Sequence, residues 1–270
     1  MILIKLGGSV ITDKTSYKVF RKDVVSRLCR EIKDSGKDVI IVHGAGSFGH
    51  MIAKEYELQK GHIRKDQPEG IVKVLRDTRE LNTLVVSELN DAGIPSVSVP
   101  TGSCFIMDDG ELLMDDNKLF MNDGKLQTDH AEILRRYTDL GIVPVMMGDV
   151  VLDRKKGFGI CSGDAIMKCL SDIFKPDKVI FVSDVDGLYD RDPKITKDAK
   201  IIANVDDNVL SKVPSETTVA DVTGGVHEKM RTMLEMCSDG RECILVNGTV
   251  DGRLNSLLKG EEVVCTRAKK

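Results

Sequence analysis

Residues 39–50 read VIIVHGAGSFGH. Val39-Ile40-Ile41-Val42 is a short branched apolar run of the kind that forms a buried strand. It stops in Gly44-Ala45-Gly46-Ser47, residues small enough to leave backbone N–H groups open at the start of the helix expected from Met51. Free amides at a helix N-terminus attract phosphate. The run lacks the Lys-Ser/Thr ending of a Walker A loop and does not fit G-x-G-x-x-G with a downstream acid, so neither a P-loop nor a dinucleotide fingerprint describes it. A lone histidine in a loop is usually structural, but His50 closes this glycine run and is a candidate contact to an anionic substrate.

The same pattern of strand, turn and helix spreads outward in both directions. ILIKL (2–6), a helix over 21–35, a helix over 68–92 and SVSVP (96–100) surround the opening stretch. In 68–92 the apolar positions Ile71, Val74, Leu75, Leu81, Leu84, Val85 and Leu89 fall at helical spacing, which predicts a helix packed on one face of a sheet. Around 101–128, FIMDDGELLM and KLFMNDGKLQ each place Asp-Gly or Asn-Asp-Gly between short segments, the signature of one or two β-hairpins. Alternation resumes with a helix over 129–140 ending at Gly141, then VPVMMGDVVL (143–152), a helix over 163–173, VIFVSDVDGLY (179–189), a helix over 225–238 and CILVNG (243–248). This rhythm predicts an α/β fold of βα units with a mostly parallel sheet.

Two further glycine segments repeat the chemistry of the first. In Lys5-Leu6-Gly7-Gly8-Ser9 the glycines let backbone N–H groups approach phosphate oxygens and Ser9 adds a hydroxyl; a tight structural turn accounts for it equally well. Asp221-Val222-Thr223-Gly224-Gly225-Val226-His227-Glu228-Lys229 again opens a helix on glycines, with Lys229 one turn in, although a surface lysine is the plainer reading of that residue taken alone. All three segments lie at strand ends, where an open α/β sheet binds its ligands. Phosphoryl transfer needs positive charge over the equatorial oxygens and an in-line approach, with little covalent participation by protein. Lys5, Lys14 and Lys229 form the obvious cationic set, and Asp149 is a candidate to orient them, although a carboxylate after glycine at a strand end is as often just a helix or turn cap.

Composition narrows the class. The chain has 270 residues, 41% hydrophobic and 30% charged, with a net charge of -4, enough for one large α/β domain or two fused lobes. No basic excess announces nucleic acid or an anionic membrane. Seven dispersed cysteines with no C-x-x-C pair disfavour a disulfide framework and a structural zinc, and fit a reducing cytoplasm. The first residues, MILIKLGGSVI, are interrupted too early for a signal segment, and no apolar run of about 18 residues occurs. A soluble cytoplasmic protein is expected.

Taken together, KLGGSVITDK (5–14), HGAGSFGH (43–50), GDVVLD (148–153), SGDAIM (162–167), SDVDGLYDRDP (183–193) and DVTGGVHEKM (221–230) resemble, in order and over nearly the whole chain, the isopentenyl phosphate kinases of the amino-acid-kinase superfamily. GAGSFGH is the discriminating element. The resemblance implies a three-layer αβα sandwich with a mostly parallel open sheet and a β-hairpin region. It also implies one domain over 1–270, with an acceptor lobe over about 1–150 and an ATP lobe over about 151–270. Lys5, Gly7, Gly8, Ser9 and Gly46 would meet the ATP phosphates, Ser183 and Asp184 would lie along the nucleotide, and Gly225 and Lys229 would face its β/γ-phosphates. Ala45, Gly46, His50 and Gly148 would hold the acceptor phosphate, with Lys14 stabilising the group in flight and Asp149 organising the lysines. Lys5, Lys14, His50 and Asp149 are therefore the catalytic candidates.

The cofactors implied are ATP and Mg²⁺, the metal riding on the nucleotide without a dedicated protein site. Asp184 and Asp186 form a possible metal pair, although Asp186-Gly187 also makes an ordinary turn. The partners implied are isopentenyl phosphate and a second copy of the chain. Met51 and Val226 stand where the family more often has proline and methionine, and the 101–128 region is long, which leaves the hydrocarbon pocket to be placed in 52–90 or around Phe105. Two rivals remain at this stage: a kinase of the same fold acting on another small phosphate or phosphonate such as fosfomycin, and a non-catalytic nucleotide-binding sensor.

Overall fold

Period-two alternation in the central strands decides the layering. In β1 (Ile2–Leu6) every residue is buried, as befits a parallel strand covered on both faces. Leu3 joins one core, together with Ile40, Val42, Val179 and Phe181. Ile2, Ile4 and Leu6 join another with Val39, Ile41, Ile180 and Val182. Two apolar cores on opposite sides of one sheet give a three-layer αβα sandwich.

The computed structural model describes residues 1–113, 130–191, 193, 195–213, 225–237 and 241–270. After β1 come α1 (Gly8–Ile11), α2 (Lys22–Ser35), β2 (Val39–His43), α3 (Gly46–Glu55) and α4 (Gln67–Asp91). Next are β3 (Ser96–Ser98), α5 (Thr101–Cys104), the hairpin strands β4 (Ile106–Asp108) and β5 (Glu111–Leu113), and α6 (His130–Asp139). Then follow β6 (Val143–Met147), β7 (Asp149–Asp153), β8 (Gly157–Cys161), α7 (Gly163–Phe174), β9 (Lys178–Ser183), β10 (Asn204–Val205), α8 (Asp207–Lys212), α9 (Gly225–Met236), β11 (Glu242–Asn247), α10 (Arg253–Lys259) and β12 (Cys265–Ala268). The main sheet runs β10-β12-β11-β9-β1-β2-β6-β3 and is parallel except where β11 meets β12. A second sheet, β5-β4-β7-β8, holds the hairpin region. The expected hairpin at Asp109-Gly110 is β4–β5; the one at Asn122-Asp123-Gly124, like Asp221–Gly224 of the third glycine segment, lies outside the described residues.

Two expectations are corrected. The run 143–152 is two strands in two sheets: β6 pairs with β2 and β3, whereas β7 pairs with β8 and β4. The break falls at Gly148, whose N–H donates to the His43 carbonyl (2.9 Å) and extends the main ladder by one rung. The helix expected from Met51 starts at Gly46, because Gly46 at φ +51° turns the chain directly off β2. His50 is therefore a helical residue.

The chain leaves β1 toward β2 and later crosses to β9 on the other side of β1, and such a reversal opens a crevice at the carboxyl ends of the strands. The ladder runs on into that edge: Gly44 N donates to Leu6 O (3.0 Å), Gly7 N to Val182 O (2.8 Å) and Gly248 N to Ser183 O (2.8 Å). At its centre the first two glycine loops touch backbone to backbone. A methyl group on Gly8 would lie 2.6 Å from the Gly46 nitrogen and 2.7 Å from its Cα. Since neither atom can rotate away, Gly8→Ala is expected to cost about 1–3 kcal/mol, to be read as a lowered midpoint in urea denaturation.

Candidate active site

Thr12 ties the two glycine loops together. Its hydroxyl donates to the Gly8 carbonyl (2.7 Å) and accepts from the Ser47 N–H (3.0 Å), so the turn after β1 and the first turn of α3 are held in register. Ser9 donates to the Asp184 carboxylate at 2.7 Å, joining the first loop to the end of β9. The residues put forward from the sequence for phosphate, nucleotide and acceptor contacts all line one cleft of about 1010 Å³ along the carboxyl edge.

Lys5 occupies β1 two residues after Leu3 and so faces the same core, where α7 and α9 pack. Its stem crosses Gly163, where a methyl would come within 2.7 Å of Cε. Its ammonium pairs with Asp164, in the first turn of α7. Lys229, one turn into α9, reaches the other oxygen of the same carboxylate at 3.3 Å. Both ammonium groups also stand over the Phe181 ring, 5.7 and 5.9 Å from its centre, where the face of the π system favours cations.

Burial lowers the Lys5 pKa to about 8, with Asp164 pulling it up and Lys229 pushing it down. Burial alone would raise the Asp164 pKa, but the two lysines outweigh it and hold the carboxyl at about 2. The cluster thus carries a net positive charge that a phosphate oxygen can meet.

Asp149 was expected to organise the lysines, but the carboxylate paired with Lys5 and Lys229 is Asp164. Asp149 lies at the start of β7 against α4, where one oxygen accepts from Thr78 Oγ1 (3.0 Å) and from the Val150 N–H (2.9 Å). Its other oxygen is buried without a hydrogen-bond partner, and burial raises its pKa to about 6 despite Thr78, Arg79 and the Val150 amide.

Toward the other end of the cleft, α3 brings Ala45, Gly46 and His50 to the wall, and Gly148 closes it from the end of β6. Beyond them the wall turns apolar with Val74 of α4, Met107 of β4 and Ile160 of β8. Of the regions expected for a hydrocarbon pocket, 52–90 contributes Val74, whereas Phe105 packs into the core. Ser183, Asp184 and Gly225 line the cleft as well. Asp186 is instead engaged by Arg253 and by Asn247 (3.1 Å).

Asp164 and Thr12 were not singled out from the sequence. The signal for Asp164 was its place at N2 of a helix capped by Ser162, which accepts from the Ala165 N–H at 3.1 Å: an acidic residue there favours the helix dipole and so passes for an ordinary helix start. Thr12 carries no motif, and only the approach of two loops distant in sequence reveals it.

The family model described as "Amino acid kinase family" matches residues 1–247. The isopentenyl phosphate kinase of Methanothermobacter thermautotrophicus is 36% identical over 280 aligned residues, covering 99% of this chain and 98% of its own. That of Thermoplasma acidophilum is 33% identical, with 96% of each chain covered. A crystal structure of an isopentenyl phosphate kinase superposes with a TM-score of 0.83 at 31% identity, with both chains covered in full. The chain belongs to the amino acid kinase family and, within it, to the isopentenyl phosphate kinases.

Asp164→Asn would leave two neighbouring ammonium groups, one of them buried, without a counter-charge. Breaking a buried pair in this way costs about 3–5 kcal/mol, which guanidinium unfolding would register. In the wild type, activity and stability are expected to part company above pH 8. As Lys5 loses its proton near pH 8, the kcat/KM for ATP falls, because that parameter reports the free enzyme. Between about 8 and the ordinary lysine value of 10.5 the unfolded chain binds more protons than the folded one, so this group makes stability rise with pH. A pH–rate profile beside urea unfolding at pH 7.5 and 9.5 checks both signs.

Proposed function

We propose that the chain transfers the γ-phosphoryl group of ATP to isopentenyl phosphate, giving isopentenyl diphosphate and ADP in one in-line step. The feature that carries this is a single cleft lined by a lysine cluster, by glycine loops and by apolar side chains such as Val74, Met107 and Ile160. An acceptor with an anionic head and a short hydrocarbon tail suits a cleft that offers all three. The relatives that align over the full chain bear the name of this activity.

Lys5 and Lys229, fixed by Asp164, take the β/γ-phosphates with the amides of Gly8, Ser9 and Gly46, while Ser183 and Asp184 run along the nucleotide. Ala45, His50 and Gly148 hold the acceptor phosphate. An oxygen of that phosphate attacks the γ-phosphorus as the bond to the β–γ bridging oxygen breaks, and ADP carries away the electron pair. Lys14 meets the charge on the equatorial oxygens. Preorganised cations of this kind work best where water is excluded.

Magnesium arrives with ATP. The Asp184 carboxylate and the Ser9 hydroxyl are hard oxygen donors suited to a cation that keeps most of its water, and among the described residues no cluster of three His, Cys, Asp or Glu side chains forms a separate metal site. When bound, the ion neutralises the β- and γ-oxygens. Residues before about 150 supply most of the acceptor side, whereas the nucleotide side is shared between the loops after β1 and β2 and Ser183, Asp184, Gly225 and Lys229. The protein acts as a homodimer in the cytoplasm, a reducing setting consistent with seven buried free cysteines.

An ADP-release assay with Mg-ATP and isopentenyl phosphate, dimethylallyl phosphate, fosfomycin, N-acetylglutamate, uridylate or carbamate tests the proposal. Turnover is expected with isopentenyl phosphate, alone or with its isomer; activity confined to another acceptor would overturn the substrate, and silence across the panel would favour a nucleotide sensor. Lys14→Ala and His50→Ala are each expected to lower kcat/KM by about 100-fold or more, the usual cost of losing one transition-state donor, with unchanged thermal unfolding.

A further inference from the structure

Lys14 stands on a loop, and a flexible ammonium on a loop is a poor electrostatic catalyst unless something fixes it. The base of this loop is closed by backbone: Thr12 bridges Phe20, Asp13 N donates to Val19 O (2.9 Å) and Arg21 N to Ile11 O (2.9 Å). Just before Lys14, the Asp13 carboxylate accepts from the Thr15 N–H (2.8 Å) and hydroxyl (2.7 Å). The far side of the loop is bent, with Lys18 at φ +58°, a left-handed conformation that a lysine adopts only when its surroundings impose it.

Both residues at this bend, Tyr17 and Lys18, reach Asp77. This carboxylate is fully buried on α4, yet it is paired: the Tyr17 hydroxyl donates to it, Lys18 Nζ lies 3.3 Å away and Arg76 Nε 2.8 Å. Lys18 also reaches Glu80 one turn on and lies over the Phe48 ring at 5.7 Å. The same stretch of α4 faces the acceptor end, with Val74 in the wall and Thr78 on Asp149.

We propose that Asp77 is a positioning residue for phosphoryl transfer, holding Lys14 at the cleft by anchoring Tyr17 and Lys18 on the far side of its loop. The inference rests on the role given to Lys14 above. Asp77 touches neither substrate nor nucleotide in this scheme and acts only through the lysine. Because the loop base is closed without it, its loss frees the lysine and leaves the fold in place. A misplacement of about 1 Å at a reacting centre can cost on the order of 100-fold.

The test is a double-mutant cycle in steady-state kinetics with Mg-ATP and isopentenyl phosphate. Asp77→Asn is expected to lower kcat by about 10- to 100-fold while leaving the KM for ATP within about twofold. Tyr17→Phe, which removes one anchor from a partly exposed side chain, is expected to shift kcat in the same direction by a smaller factor. In a Lys14→Ala background either substitution should lower kcat by no more than about twofold further, since groups acting through one another do not add. A purely structural role would make the losses multiply in full, and that result overturns the inference. Should Asp77→Asn fail to fold, the Tyr17→Phe cycle decides alone. Normal kcat in Tyr17→Phe and in folded Asp77→Asn, with Lys14→Ala impaired, overturns the anchoring and spares the role of Lys14; a fully active Lys14→Ala enzyme overturns both.

Discussion

One carboxylate with two ammonium groups on it is the constraint around which the cationic part of the cleft is built. Lys5 and Lys229 could not be held side by side near the protein interior without Asp164, because like charges at that separation repel strongly where the dielectric is low. Three elements must converge to make the arrangement: β1, whose alternation turns Lys5 toward α7; α7, whose capped first turn presents Asp164; and α9, which brings Lys229 down to the other oxygen. Each stands on the main core, so the position of the charge is set by packing that involves no catalytic residue.

The middle of the cleft is made of backbone. Glycine at 7, 8, 44 and 46 removes side chains from the edge where β1, β2 and β9 end, and the loops then approach until their amides and carbonyls touch. Two of those N–H groups are spent inside the ladder, Gly7 on Val182 and Gly44 on Leu6, and the cleft edge there is bare backbone instead of a basic surface. It explains how a chain of net charge -4 can bind highly charged ligands: the positive charge is local, part of it is peptide dipole, and the rest is three lysines.

Much of this was legible in the sequence, and what was not shares a cause. The apolar runs in ILIKL (2–6), VIIVHG (39–44) and VIFVSDVDGLY (179–189) declared buried parallel strands because a strand covered on both faces has no polar period to confuse it. The glycine segments declared themselves because phosphate binding demands residues without Cβ. The partners that hold these groups did not, since Thr12, Asp77 and Asp164 are ordinary polar residues whose meaning depends on what lies opposite in space. Helix α4 shows the limit well. Its apolar spacing predicted a packing helix, and it is one, yet Gln67, Asp77, Thr78, Asn82 and Glu88 are buried on it. Polar residues on a helix read as amphipathic were themselves the hint of a second duty. The division of 143–152 into two strands escaped for a similar reason: Gly148 extends the main ladder by its N–H, and nothing local marks where the chain changes sheet.

That change of sheet separates two tasks. Lys5 and the first two glycine loops belong to the main sheet, whereas Met107 and Ile160 come from the small one. The small sheet has its own fastening. Asp153 accepts backbone N–H bonds from Asp109 (3.3 Å), Gly110 (2.7 Å), Lys155 (2.8 Å) and Lys156 (2.8 Å), stapling the β4–β5 turn to the β7–β8 turn. Burial pushes the pKa of its carboxyl up, but the four N–H donors prevail and hold it at about 2, so the staple persists wherever the protein is folded near neutral pH. Because Met107 and Ile160 rest on this staple while Lys5 and Lys229 rest on Asp164, the apolar part of the cleft can change by substitution in β4 and β8 without moving those two charges. A fold organised this way can alter its acceptor while keeping its chemistry, which is the physical condition for one kinase scaffold to serve acceptors of different shape.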